Sequence, residues 1–193
     1  MLICFEGIDA SGKATQSKTL CDRLSKSGFD CELIAFPDYT TPIGLNIRAY
    51  LDGEITMPCE VRQLLYVANR WERRDDIVNW LDYGKFVVAD RYTPSGLAYG
   101  LTNGLDLDWM LGLERGLPIP DLVVVVDVSV QTSVKRLLST RDVYERNESY
   151  LVKVRESYLS LAKRFGWTVV NGERPIEEVS EEIWSVVLGK ISC

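Results

Sequence analysis

Histidine is missing altogether from the 193 residues. Its absence removes the commonest general base at neutral pH and the commonest metal ligand, so any chemistry falls to carboxylates, lysine, arginine, hydroxyls or a bound ion. Long hydrophobic runs are missing too. No apolar stretch approaches the roughly 20 residues that span a bilayer, and no membrane partner is expected. A basic excess is also lacking: the formal net charge is −6. That argues against a nucleic-acid surface but leaves room for a small anion held in a local cluster of arginines. The cysteines are few and scattered (Cys4, Cys21, Cys31, Cys59 and Cys193), and none forms a CxxC pair. Neither a disulfide framework nor a zinc site is therefore expected, and a reducing, cytoplasmic compartment is the expected setting. The start of the chain, Met1 to Gly7, lacks a basic segment and a cleavage site and reads as a first strand rather than a leader.

What is present is an alternation of apolar runs and helical periodicities. Short runs at residues 2–6, 31–36, 85–89, 122–126 and 167–170 read as strands. Continuous rather than alternating apolar runs indicate strands covered on both faces, as in a parallel sheet. Helical stretches lie between them, one beginning near Lys13, a long one after Pro58, and a terminal one with Ile176, Val179, Ile183, Val186 and Val187 on one face. These elements predict a single α/β domain of three layers, with a five-stranded, mainly parallel sheet flanked by helices.

The first strand leads into Gly7-Ile8-Asp9-Ala10-Ser11-Gly12-Lys13-Ala14-Thr15, which matches GxxxxGK. Its glycines let backbone N–H groups turn inward around a phosphate, and the following helix N-terminus adds partial positive charge. Lys13 is then placed for the β- and γ-phosphates of a nucleotide. The position after the lysine, normally a Mg²⁺-binding hydroxyl, is Ala14. Either carboxylates such as Asp9 and Asp90 hold the metal together with waters, which suits octahedral Mg²⁺, or its affinity is reduced.

The helix from about residue 61 carries an apolar stripe of Val61, Leu64, Leu65, Ala68, Trp71 and Val78, expected to face the core. Tyr66 and Arg70 fall together on the other side at i, i+4. That pair reads either as a base-stacking ring beside a donor or as an exposed tyrosine next to a solvated arginine. The third strand ends in Asp90-Arg91-Tyr92. Ligands of open α/β sheets bind beyond the carboxyl ends of strands, so this acid and arginine suit Mg²⁺ and phosphate, or else a structural salt bridge.

Taken together, FEGIDASGK at 5–13, FPDYTTPIG at 36–44, YVANRWE at 66–72, DRYTPSGLAY at 90–99, GLPIPD at 116–121 and RDVYERN at 141–147 resemble the thymidylate kinases, in order and over nearly the whole chain. The resemblance implies the P-loop NTPase fold with a short lid at about 138–148. It further implies a reaction moving the γ-phosphoryl group of ATP to dTMP with Mg²⁺, and a homodimer. By position it places Tyr66 against thymine, Arg70 at the thymine edge, Arg91 on the dTMP phosphate, Asp90 near the metal and Asp9 close to the acceptor phosphate. Pro37 and Tyr39 belong to the dTMP side, as do Ser95, Tyr99 and, in the lid, Tyr144; Tyr99 is expected to crowd a 2′-hydroxyl. Gly96 stands where some relatives carry a polar base contact. Thymidylate kinases keep a catalytic arginine either in the phosphate loop or in the lid. This loop has none, whereas the lid segment offers Arg136, Arg141 and Arg146, so Arg141 first and Arg146 second are expected to stabilise the transferring phosphoryl group.

Such a reaction needs no general base, because the attacking phosphate, with a second pKa of about 6, is already anionic. Three rivals remain at this level. A kinase for dUMP or a modified pyrimidine is the nearest. A deoxynucleoside kinase is another, although it would want a carboxylate base for a neutral hydroxyl. The third is a nucleotide-binding regulator without catalysis, marked by Ala14.

Overall fold

The computed structural model describes residues 1–137 and 148–191. Strands β1 (Leu2–Glu6), β2 (Cys31–Ala35), β3 (Phe86–Asp90), β4 (Leu122–Asp127) and β5 (Thr168–Asn171) form one sheet in the order β2-β3-β1-β4-β5, with every pairing parallel. Between them run α1 (Lys13–Lys26), α2 (Pro42–Leu51), α3 (Cys59–Glu72), α4 (Arg74–Asp82), α5 (Thr93–Thr102), α6 (Leu107–Leu113), α7 (Val130–Arg136), α8 (Glu148–Phe165) and α9 (Ile176–Ile191). The expected three layers and five parallel strands are present.

Successive strand residues point to opposite faces, so each apolar run feeds two cores. Leu2, Cys4, Val87, Ala89, Val123 and Val125 pack with Leu97 and Ala98 of α5 and with Leu151, Val154, Tyr158 and Leu161 of α8. Ile3, Phe5, Val88, Val124 and Val126 pack on the other side with Leu20 and Leu24 of α1 and with Val179, Ile183 and Val187 of α9. Burial on both faces holds for the three central strands. The edge strands depart from it: β2 buries only Ile34 and β5 only Val170. In register, Phe5 of β1 lies opposite Asp90 of β3 and Val124 of β4, so the carboxyl ends of these strands open on one edge.

Two expectations are corrected. The segment after Pro58 is not one helix but two, broken at Arg73, and Val78 belongs to the second. Within α3 the stripe expected to face the core is turned outward: Val61, Leu64 and Trp71 are exposed. The buried residues are Gln63, Val67, Asn69 and Arg70. Asn69 and Arg70 turn inward because they find hydrogen-bonding and charged partners there, which satisfies them as well as water would. Cysteine placement is the second correction. Cys21 of α1 and Cys31 of β2, with Cα atoms 5.7 Å apart, are joined as a disulfide, while Cys4 and Cys59 are free. The chain reverses between α1 and β2 and brings together two cysteines that no short spacing motif announces.

Candidate active site

At the end of β1 the chain enters a tight loop. Gly7 has φ 137°, and a Cβ there would lie 2.5 Å from the Val126 carbonyl oxygen. Only glycine meets both demands. Ala10 (φ 53°) and Gly12 (φ 105°) complete the turn into α1, whose N-terminus carries no side-chain cap and no acid in its first turn. Its leading N–H groups and positive dipole end are thus available to an anion. Lys13 is buried, and its ammonium donates to the Ile8 carbonyl within the loop at 3.0 Å. Burial, then the charge of Arg91, lowers the Lys13 pKa from 10.5 to about 8, against the opposing pull of Asp9, Asp90 and Glu6. The loop is pinned from outside: Ser133 of α7 donates to the Asp9 carbonyl at 2.7 Å, and Arg136 donates to the carbonyls of Ala10 at 3.3 Å and Ser11 at 3.2 Å. A cleft runs along this loop, lined by residues 9–16 with Asp90, Arg91, Arg136, Arg174 and Ile176.

A second cleft opens on the other side of Arg91. Its wall includes Pro37, Tyr39, Gln63, Tyr66, Asn69, Arg70, Ser95, Gly96 and Tyr99. The two clefts share Asp9, Phe36 and Arg91. Arg91, at φ 64°, is the hinge between them. Its guanidinium donates to the Gly7 carbonyl at 3.1 Å, to Ser95 Oγ at 3.2 Å, to Tyr158 Oη at 3.2 Å and to the Asp9 carboxylate, and it lies over the Tyr99 ring. Burial draws the Asp9 carboxyl upward, but Arg91, Lys13 and Tyr99 outweigh it and hold it below the ordinary carboxylate value. Tyr99 Oη donates to the second Asp9 oxygen at 3.3 Å.

Behind Arg91 stands Glu6, fully buried at the end of β1. It accepts from the Tyr92 N–H at 2.8 Å, from Ser95 Oγ at 2.5 Å and from Tyr158 Oη at 3.1 Å. Burial raises its pKa, opposed by the Ser95 hydrogen bond and by Arg91. Glu6 and Tyr158 were passed over in the sequence: Glu6 sits inside the FEG segment with nothing to mark it off, and Tyr158 looks like one more core position of α8.

Deeper in the second cleft Arg70 is 2% exposed and ion-paired with Glu114, its Nε donating to Glu114 Oε2 at 3.2 Å. The solvated-arginine reading is overturned. Glu114, on the loop after α6, gave no sequence signal, because its partner lies 44 positions away. Asn69 fastens the Pro37–Thr41 turn: its amide oxygen accepts from the Asp38 N–H at 2.8 Å, and its Nδ2 donates to Asp38 O at 3.1 Å and Thr41 Oγ1 at 2.8 Å.

The residues fit Mg²⁺ in one respect. Oδ1 of Asp90 is buried without a hydrogen-bond partner, and Asp90 lines the loop cleft. Among the described residues no cluster of three metal-ligating side chains occurs. That suits an ion held mostly by phosphate oxygens and water. Asp9, the other expected metal ligand, is already engaged through both oxygens. Ala14 supplies no hydroxyl, and Thr15 is exposed. Arg141, Tyr144 and Arg146 lie outside the described residues.

Comparison with known proteins agrees with this geometry. The thymidylate kinase family model matches residues 5–183. A thymidylate kinase of Dictyostelium discoideum is 37% identical over 96% of this chain and 84% of its own. The thymidylate kinase of Homo sapiens is 35% identical over 94% of this chain and 87% of its own. The solved thymidylate kinase of Candida albicans superposes with a TM-score of 0.89 at 31% identity, over 98% of this chain and 91% of that one. On family model, sequence identity and architecture alike, the chain belongs to the thymidylate kinase family.

Proposed function

We propose that the chain transfers the γ-phosphoryl group of ATP to dTMP, giving dTDP and ADP. The observation that carries this reading is Arg91, whose guanidinium stands in the wall shared by the two clefts and bonds to the phosphate loop itself. ATP occupies the loop cleft, with its β- and γ-phosphates on the loop N–H groups and Lys13. The dTMP phosphate reaches Arg91 from the other side, its base against Tyr66 and Arg70 and its sugar near Ser95 and Tyr99. Two polyanions are then aligned end to end, and alignment together with charge neutralisation supplies most of the catalysis. An oxygen of the dTMP phosphate attacks the γ-phosphorus while the bond to the β-phosphate oxygen breaks. Asp9 orients Arg91 and takes no proton. Asp90 with waters would hold Mg²⁺, which when bound neutralises charge on the nucleotide phosphates.

The remaining features follow the same reading. The chain works as one domain over residues 1–193, with the phosphate loop at 7–14 and a lid at about 138–148 that brings Arg141 and Arg146 to the phosphoryl group and Tyr144 to dTMP. The exposed Val61, Leu64 and Trp71 of α3 support a homodimer through this helix. A cytoplasmic location is supported by the use of ATP; the Cys21–Cys31 pairing takes away the support drawn from cysteine spacing. Among the described residues no helix is long and apolar enough to cross a membrane.

The test is ADP release with ATP–Mg²⁺ across dTMP, dUMP, UMP, dCMP and dGMP. Turnover highest with dTMP supports the proposal. Turnover highest with dUMP selects the nearest rival, and ADP release with none of them supports a nucleotide-binding regulator.

A further inference from the structure

Resting on that reading, we infer that Gln63 is a specificity-determining residue that reads the base of the acceptor by hydrogen bonding. Gln63 lies two turns before Arg70 on the inward face of α3, is 4% exposed, and lines the acceptor cleft. Its Nε2 is buried and has no hydrogen-bond partner. The polar side chains around it are differently placed: Arg70 is held by Glu114, Asn69 by the Asp38–Thr41 turn, and Ser95 by Glu6. A buried N–H left unpaired lowers stability, so a ligand that supplies its acceptor gains by doing so.

The space this amide faces is defined by Gly96. A Cβ on that residue would stand 2.9 Å from Arg70 Nη2 and 3.1 Å from Gln63 Nε2. The two N–H groups therefore close together on the bare α-carbon of Gly96, with Glu114 Oε1 3.3 Å from the same point, and a ligand atom meets both only in the slot of the cleft wall beside that carbon. Two donors converging there recognise an oxygen acceptor, such as the 4-carbonyl of a pyrimidine-2,4-dione. The carboxamide oxygen of Gln63 can at the same time accept from the neighbouring ring N–H. A 4-aminopyrimidine presents a donor at that place, and the nearest carboxylate, Glu114, is already committed to Arg70. Gln63 thus favours thymine and uracil over cytosine. Sites built to hydrogen-bond a substrate reject the mismatched analogue because buried polar groups are left unpaired.

The test compares dTMP, dCMP and ATP affinities, and thermal stability, in the wild type and in Gln63→Leu, which keeps the volume and removes the amide. The expected result is a dTMP dissociation constant raised about tenfold, with dCMP and ATP affinities unchanged and a melting temperature equal to or above the wild type, since an unpaired buried donor has gone. A purely structural glutamine predicts the opposite pattern, a lowered melting temperature with dTMP affinity intact, and that result overturns the inference. Gln63→Asn, which keeps the polarity and draws the amide back from the slot, covers a leucine variant that fails to fold; wild-type dTMP affinity in this variant also overturns it. Wild-type protein that binds no dTMP removes the functional reading itself, and dTMP bound equally by wild type and variant removes the role of Gln63 alone.

Discussion

The loop cleft and the acceptor cleft meet at Arg91 but are made of different materials. The loop cleft is built from backbone. Its shape comes from positive φ at Gly7, Ala10 and Gly12, and its charge from N–H groups and a helix end, joined by the Lys13 ammonium. The acceptor cleft is built from side chains of α3, of α5 and of the turns after β2 and β3, backed by Glu6 of β1, Tyr158 of α8 and Glu114 after α6. Its charges are paired, Arg70 with Glu114 in the interior and Arg91 with Asp9 half-buried. A backbone site tolerates substitution at most of its positions. A paired-charge site fails when one partner goes, because the other is stranded in low dielectric.

This difference predicts where activity breaks. The largest loss is expected at an arginine of the proposed lid. The loop contributes no arginine, and Arg136 spends its guanidinium on the carbonyls of Ala10, Ser11 and Gly172. Arg141→Ala should therefore lower kcat by on the order of 10³ while the KM for dTMP moves little. Pre-steady-state kinetics decide the matter, and an equal loss confined to substrate binding counts against Arg141. Next comes Arg91→Ala, which removes the proposed phosphate anchor and leaves half-buried Asp9 without its ion pair. The dTMP dissociation constant should rise by about 100-fold or more, with a much smaller effect on ATP. Unchanged dTMP binding by calorimetry would sink the assignment of Arg91.

The same contrast explains what was legible in the sequence. The loop could be read residue by residue, because glycine spacing encodes backbone shape directly. The order of strands and helices followed from apolar runs, and the central strands behaved as expected. In the acceptor cleft the Tyr66–Arg70 pair and the Asp90-Arg91 strand end were legible as alternatives, and only the resemblance of short segments chose between them. The cleft's supporting groups, Glu6, Glu114, Tyr158 and Gln63, are contributed by residues far apart in the chain, and nothing local marks them. The α3 face was misread for a physical reason: periodicity says which residues share a side, not whether that side meets the core. Here the apolar side is at the surface and the polar side faces a lined cavity.

A smaller effect tests the slot beside α3. Gly96→Ala places a methyl 2.9 Å from Arg70 Nη2, and the guanidinium cannot swing away without leaving Glu114. Such overpacking costs about 1–3 kcal/mol, so the KM for dTMP should rise about tenfold, with dUMP affected alike because the crowding falls on the ring edge and not on a 5-substituent. Wild-type KM values in this variant would mean that the base sits elsewhere in the cleft.

The smallest effect belongs to the loop cleft and concerns a single proton. Lys13, lowered to about 8 by burial, is protonated below that pH in the free protein and largely neutral above it. In the unfolded chain its pKa returns to about 10.4. Between these two values the unfolded state binds more protons, so this group alone makes stability rise with pH from about 8 to 10.4, and its burial penalty is fully present below 8. Nucleotide binding works in the opposite direction. The phosphates favour the ammonium, so ATP binding above pH 8 must recruit a proton. At pH 8.5 ATP is fully ionised and cannot supply one, and uptake should approach roughly three-quarters of a proton per ATP bound. Calorimetry in buffers of different ionisation enthalpy measures this directly. Binding without uptake would mean that Lys13 remains charged in the free protein, and that the loop cleft, like the acceptor cleft, compensates its buried cation before any ligand arrives.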